Sequence, residues 1–256
     1  MIETLNLRPL TARSVVLSTL LGCHPPELRA RHLVRVGEQF GIAEGTVRVA
    51  LSRMVAAGDL VHVEGAYRLS ERLLRRQARQ DESVTPRTRA WDGGWEIAMI
   101  TAERRPAPER TALRQAMAAL RLAELREGAW LRPANLLRER PSIVAQQCTF
   151  LEGRPEGDPR ELAAALWDLP CWAALAVRLQ RALEEAQPLA ERFTISAAVL
   201  RHLMTDPLLP DELLPETWPG PGLRARLAEF EEEFGRLLTD HAVAPRGRPA
   251  AESRSR

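Results

Sequence analysis

The sequence predicts an α+β fold in three parts, and three observations predict it. Residues 11–70 hold three stretches of apolar residues at helical spacing, followed by a short alternating pair of strands. Residues 91–156 run strand, helix, strand, strand, helix, strand, the order of a small ferredoxin-like unit. Residues 157–240 return to helical periodicity, interrupted by the proline-rich DPLLPDELLPETWPGPG. The expected organisation is a first domain at 1–80, a linker at 81–90, a middle domain at 91–156, a helical domain at 157–240 and a disordered tail at 241–256.

TARSVVLSTLLG, residues 11–22, reads as a first helix stopped by glycine. LRARHLVRVGEQF, residues 28–40, reads as a second, with Leu33, Val36 and Phe40 on one side and Gly41 as its stop. After a three-residue turn, a helix over 44–57 places Val47, Ala50, Leu51, Met54 and Val55 at i, i+3, i+4, i+7 and i+8, which is a buried face. Its opposite arc carries Gly45, Thr46, Val49, Ser52, Arg53 and Ala56, with Arg48 on the flank. A helix that needs only solubility displays long charged chains there. Small residues with a few donors instead suit a helix lying deep in the major groove. DLVHVEGAYRLS then alternates around EGA and reads as a β-hairpin. Helix, turn, helix and hairpin make a winged helix-turn-helix. Its expected DNA-contacting residues are Thr46, Arg48, Val49, Ser52 and Arg53 on the helix and Arg68 on the wing. In RLLRRQARQ, Arg72, Arg75, Arg76 and Arg79 read either as a phosphate-tracking patch or as a solvated helix face.

In the middle domain, WEIAMIT predicts a strand over 95–101 and PERTALRQAMAALRL a helix over 108–122. AELREGAWLR predicts a hairpin turning at Glu127 and Gly128, ANLLRE a short helix, and SIVAQQCTFLE a closing strand. Five of the six tryptophans fall between 91 and 172. Trp95, Trp130, Trp167 and Trp172 read either as walls of an apolar effector pocket or as core between the middle and C-terminal domains. Arg104, Arg105, Arg132, Arg138 and Arg140 read either as cations for the phosphates of an effector or as surface charge. PLLPDELLPETWPG reads as a structural strap over an apolar surface.

Composition narrows the function. At 256 residues, 45% hydrophobic and 27% charged, the chain is globular, and no apolar run approaches the roughly 20 residues that cross a bilayer. MIETLNLRPL lacks a basic start and an apolar core, so no secretory signal is read and a cytoplasmic protein without a membrane partner is expected. Cys23, Cys148 and Cys171 are odd in number and widely spaced, and Cys23 beside His24 has no second Cys/His pair at finger spacing, so neither a disulfide framework, a metal nor a cofactor is expected. Residues 1–90 hold 14 arginines against 9 acids, whereas residues 91–256 hold 22 against 25, and all the basic residues are arginine. A basic first segment points to a polyanionic partner. No Walker loop, G-x-S-x-G, G-x-G-x-x-G or H-E-x-x-H occurs, and Glu103 is the only acid near the end of the first middle-domain strand, so no enzyme is expected.

Six segments together resemble the PaaX-like transcriptional repressors, a family named for the regulator of phenylacetate catabolism. They are ARSVVLSTLLG, GTVRVALSRMVAAGDL, WDGGWEIAMI, EGAWLRPANL, LAAALWDLPCWAALAVRL and DPLLPDELLPETWPG. The resemblance implies a homodimeric repressor with an N-terminal winged helix-turn-helix, a ferredoxin-like (Cas2-like) middle domain and an α-helical C-terminal domain. It implies a double-stranded DNA operator as partner and release by a small effector, an aryl- or acyl-CoA thioester such as phenylacetyl-CoA. The wing VHVEGAYRLS departs from the longer, more basic family wings, with Glu64 at its tip. Two other readings are a metal-dependent nuclease with a Cas2-like middle domain and a protein-interaction scaffold.

Overall fold

The computed structural model describes residues 10–102 and 105–243, with side chains as far as Arg236. The architecture is mixed α+β, and the described chain forms two compact units. One comprises residues 10–77, 188–190 and 228–243, and the other 78–102, 105–187 and 191–227.

The first unit opens with α1 (Ala12–Leu21), β1 (Glu27–Arg29), α2 (Ala30–Gln39) and α3 (Glu44–Ala56). The hairpin β2 (Leu60–Val63) and β3 (Ala66–Leu69) and the start of α4 (Glu71–Val84) follow. Thr11 caps α1, its hydroxyl oxygen accepting the Ser14 N–H at 3.2 Å. Val16, Leu20, Leu33, Val47, Leu51, Met54, Leu60, Leu69 and Leu73 form one core. Each fully buried side chain of this size contributes about 1.5–3 kcal/mol. Gly37 lets α2 and α3 approach: a Cβ there would lie 2.5 Å from Cγ2 of Val47. Gly41, at φ +68°, opens the turn into α3, a left-handed backbone that favours glycine.

The strand pair is a hairpin with Val63 opposite Ala66. Glu64 and Gly65 form its two-residue turn with φ of 51° and 80°, the primed geometry that matches strand twist. Sequence reasoning missed β1. Glu27–Arg29 pairs with Arg68–Ala66 of β3, so the second helix starts at Ala30 rather than 28. Backbone pairing across the unit overrides local helical spacing there. Asp59, buried after α3, accepts from Arg13 at 2.7 Å and pairs with Arg72. The Gln77 amide donates to the carbonyls of Leu21 at 2.8 Å and Cys23 at 3.0 Å, satisfying acceptors at the end of α1.

The second unit is built on a four-stranded antiparallel sheet of order β5-β6-β4-β7. Its strands are β4 (Trp95–Ile100), β5 (Ala123–Arg126), β6 (Ala129–Pro133) and β7 (Cys148–Gly153). The helices α5 (Ala107–Ala119) and α6 (Ser142–Gln147) lie between strands in the chain. The pleat decides which side chain packs where. Ala98 and Trp130 share a core with Leu113, Met117 and Val144 from α5 and α6. Trp95 and Leu131 join Ala163, Leu169, Leu209 and Leu213 in another. The C-terminal helices are α7 (Pro159–Leu166), α8 (Leu169–Glu185), α9 (Leu189–Leu203) and α10 (Gly220–Val243).

Three local expectations are corrected. SIVAQQ is helix rather than strand, because Pro141 at the N-cap starts a turn that places Val144 in the core. ANLLRE is not helical. Its backbone pairs with the segment expected to be a free linker at 81–90: Thr88 bridges Leu136, and the Arg89 N–H donates to the Asn135 carbonyl at 2.8 Å. The first residues of that segment continue α4 as far as Val84. The proline-rich strap does pack over an apolar surface, since Leu209 and Leu213 lie buried with Trp95 and Leu131. Of the tail expected at 241–256, residues 241–243 end α10 and the rest lies outside the described residues.

Candidate nucleic-acid interface

The third helix is amphipathic in an unusual sense. Val47, Leu51 and Met54 are buried, while Thr46, Arg48, Val49, Ser52 and Arg53 are all exposed, Val49 to 50%. A helix of 13 residues that buries three large apolar side chains is anchored firmly, so its outer arc is held rigidly in solvent. The arc is slim. Between the two arginines stand only Val49, Ala50, Leu51 and Ser52, and the Ser52 hydroxyl donates to the Arg48 carbonyl at 3.2 Å.

Electrostatics distinguish the two guanidiniums. Arg48 donates from Nε to Glu44 Oε1 at 2.8 Å, an exposed i,i+4 pair. Such a pair contributes only about 0.3–0.5 kcal/mol, less than the roughly 1–3 kcal/mol of a bidentate guanine contact, so it yields to a better acceptor. Arg53 makes no ion pair among the described residues. Arg68, on the hairpin, lies 3.6 Å from Glu27 of β1. Glu64 is exposed at the hairpin tip, with Val61 and Val63 also exposed, and His62 stacks on Tyr67 at 4.6 Å.

A second basic group escaped sequence reasoning. Arg29, Arg31 and Arg35 surround His32 at the start of α2. Burial, then the three guanidiniums in the order Arg31, Arg35 and Arg29, push the His32 imidazole below its ordinary range. Arg31 Nε donates to His32 Nε2 at 3.2 Å, which fixes that nitrogen as an acceptor. The signal was the arginine spacing in LRARHLVRV, obscured because β1 was read as helix. On α4, Arg72 is engaged with the buried Asp59 and Arg75 lies 3.6 Å from Glu71, so both are held within the fold.

The tryptophans expected to line an effector pocket are divided between packed clusters. Trp130 belongs to the core under α5 and α6, with Arg114 5.5 Å above its ring. Trp95 lies in the other core, stacked with Trp167 at 6.5 Å. Trp172 stacks between His202 at 4.4 Å and Trp218 at 4.6 Å, and its Nε1–H donates to Thr205 at 3.2 Å. Arg132 is 0% exposed and hydrogen-bonded to the carbonyls of Pro133, Pro207 and Leu208 and to Asn135. These side chains pack in cores or brace the strap. Arg104 and Glu103 lie outside the described residues.

A slim basic helix held out to solvent by its own core, in a chain with a further α+β unit, defines a class: multidomain proteins that present one helix to a partner. Comparison with known proteins then gives the family. Three family models match along the chain: "PaaX-like protein" over residues 11–73, "PaaX protein central Cas2-like domain" over 88–152, and "PaaX-like protein C-terminal domain" over 164–243. The chain belongs to the PaaX-like family. A similar solved structure is that of the uncharacterized protein Rv0674 from Mycobacterium tuberculosis, at 48% identity and a TM-score of 0.79. The match covers 91% of this chain and 99% of that one. Comparison with curated proteins finds no match.

Proposed function

We propose that this protein is a transcriptional regulator that binds double-stranded DNA through α3, reads its operator as a homodimer, and represses a catabolic operon until a small effector releases it. The first unit is then a winged helix-turn-helix, with β2 and β3 as the wing, and the sheet of the second unit a ferredoxin-like core. The observation that carries the reading is the exposed arc of α3: Thr46, Val49, Ser52 and Arg53 face solvent while Val47, Leu51 and Met54 hold the helix down. Arg48 and Arg53 supply guanidinium forks for guanine edges or phosphates, Thr46 and Ser52 supply hydroxyls, and Val49 supplies a methyl surface for thymine. Arg29 and Arg31, exposed before and in the first turn of α2, extend the contact to the backbone. The wing contributes little, since Glu64 stands at its tip.

Family membership supports the regulatory role; a cytoplasmic setting, no catalytic step and a CoA thioester as effector are part of the same proposal. An effector acts only through different affinities for the DNA-bound and free states. The test is a gel-shift titration against the DNA upstream of the chain's own gene, across salt, followed by addition of phenylacetyl-CoA and other acyl-CoA thioesters. Binding that weakens steeply with salt and is reversed by one thioester supports the reading. An unchanged affinity with every residue of the α3 arc replaced by alanine refutes it.

A further inference from the structure

The two edges of the second unit's sheet are built differently. β5 is four residues long, and its register with β6 shifts between Glu124 and Arg126. A short, bulged edge is a poor template for another strand. β7, on the opposite edge, pairs with β4 through all six of its residues, Cys148 to Gly153, without a shift. Among the described residues β4 is its only strand partner. A regular edge of this kind presents backbone N–H and C=O groups ready to bond another strand. Its exposed side chains do not deter one: Leu151, near its centre, is 53% exposed, and Met99, on the same face of the sheet, is 39% exposed.

The residues along β7 decide which strand fits. An antiparallel copy related by a two-fold axis through Leu151 keeps every side chain on its own face of the sheet. On one face Ile97 lies opposite Leu151, so a row forms from Ile97 and Leu151 to the partner subunit's Leu151 and Ile97. Thr149 falls opposite the partner subunit's Gly153, where there is no side chain to meet. On the other face Phe150 falls opposite the partner subunit's Glu152. Arg140, 43% exposed and 3.4 Å from Glu96, lies over that Phe150 ring, 3.6 Å from its centroid. Glu152 is exposed, makes no ion pair among the described residues, and stands directly across from Glu96 in the sheet. Like charges so placed repel. In the two-fold pair each Glu152 gains the partner subunit's Arg140, and symmetry makes the contact twice.

We infer that the outer edge of β7 is the seam at which two copies of this chain join, antiparallel about Leu151, so that their two sheets become one continuous sheet. Backbone hydrogen bonds supply the pairing, the Leu151 row an apolar centre, and the Arg140–Glu152 contacts the register. The seam locates the subunit contact of the proposed homodimer and rests on that part of the proposed function. Neither DNA nor an effector takes part in it.

The experiment uses the full chain without DNA and reads its oligomeric state by sedimentation over a range of concentrations. The native chain is expected to dimerise. Leu151→Lys, a charge at an exposed edge position, weakens the dimer by about tenfold or more, while Leu125→Lys on the bulged β5 edge, also 53% exposed, does not. Arg140→Glu and Glu152→Arg each weaken it too. An equal mixture of those two single variants regains the dimer, because both contacts of the mixed pair then join opposite charges, an outcome that a contact within one chain cannot give. Position is read by cross-linking in a Cys171→Ser chain, which removes the exposed native cysteine. Leu151→Cys lies about 5 Å from its own copy across the axis and oxidises to a covalent dimer, whereas Leu137→Cys, 48% exposed, does not. A native dimer indifferent to Leu151→Lys, a mixture that stays monomeric, or equal cross-linking at 137 and 151 overturns the seam and leaves the homodimer to another surface. A native chain that stays monomeric at every concentration overturns the seam and the homodimer together, and DNA binding is then judged by gel shift alone.

Discussion

Arg53 on α3 and Arg132 on β6 are the same residue in opposite circumstances. Arg53 is exposed on an arc of small side chains, whereas Arg132 is sealed from water and hydrogen-bonded to four carbonyls and an amide oxygen. Because every basic residue in this chain is arginine, residue type alone cannot say which guanidinium recognises a partner and which braces the fold. The difference is solvation. A solvated guanidinium keeps its donors available at little cost, and a buried one must satisfy all of them within the protein.

That contrast is most easily broken at its buried end. Replacing Arg132 with Met leaves the Pro207 carbonyl and the Asn135 amide oxygen without their donor, the Leu208 carbonyl with only the Asn135 amide N–H, and Glu96 short of one counter-charge. The loss is about 3–5 kcal/mol, read as a lower midpoint of urea or thermal unfolding. An unchanged midpoint would mean that the strap is held by its apolar contacts alone. At the exposed end, Arg53→Ala shifts stability by less than about 0.5 kcal/mol but weakens operator binding by about 1–3 kcal/mol. If Arg53 touches only phosphate, the same variant lowers the salt slope by about one instead. Smaller again is Glu44→Gln, which frees Arg48 from its pair at a stability cost of about 0.3–0.5 kcal/mol. DNA affinity is expected to rise slightly, and a fall would assign Glu44 a contact of its own.

The smallest effect is a pH dependence in the second unit. Burial lowers the pKa of His202, against the raising influence of its hydrogen bond to the Trp172 carbonyl and of Asp206. The folded state therefore binds its proton less readily than the unfolded chain. The stability contribution is complete above the unfolded value of about 6.5 and declines as pH falls through the folded one. Unfolding midpoints recorded from about pH 7.5 to 5.5 should fall less in His202→Gln than in the native chain. Parallel curves would remove His202 from the linkage.

Much of the first unit was legible along the chain. The third helix was expected over 44–57 and spans Glu44–Ala56, because Val47, Leu51 and Met54 repeat at helical spacing and Gly58 follows. The hairpin was legible from Leu60, Val61 and Leu69 around Glu64 and Gly65. Three residues of β1 were not, since a strand so short carries no periodicity and exists only because β3 offers it a partner. In the second unit, SIVAQQ misled for a related reason: a six-residue element with few apolar positions fits either period. The four tryptophans were equally ambiguous. Trp130 and Trp95 both look like pocket walls in the sequence, and only the register of β4 against β6 sends them to opposite cores.

By itself the sequence determined the periodic helices, the hairpin, the order of the parts and the family, because each depends on neighbours within a few residues or on motifs kept in order. The tertiary structure alone decided which arginines are buried, what the strap rests on, and that Glu96 is shared by guanidiniums from β6 and from residues 138–140. Those outcomes depend on side chains distant in sequence being brought together in a medium of low dielectric, where every charge and donor must find a partner, and no local pattern specifies that partner.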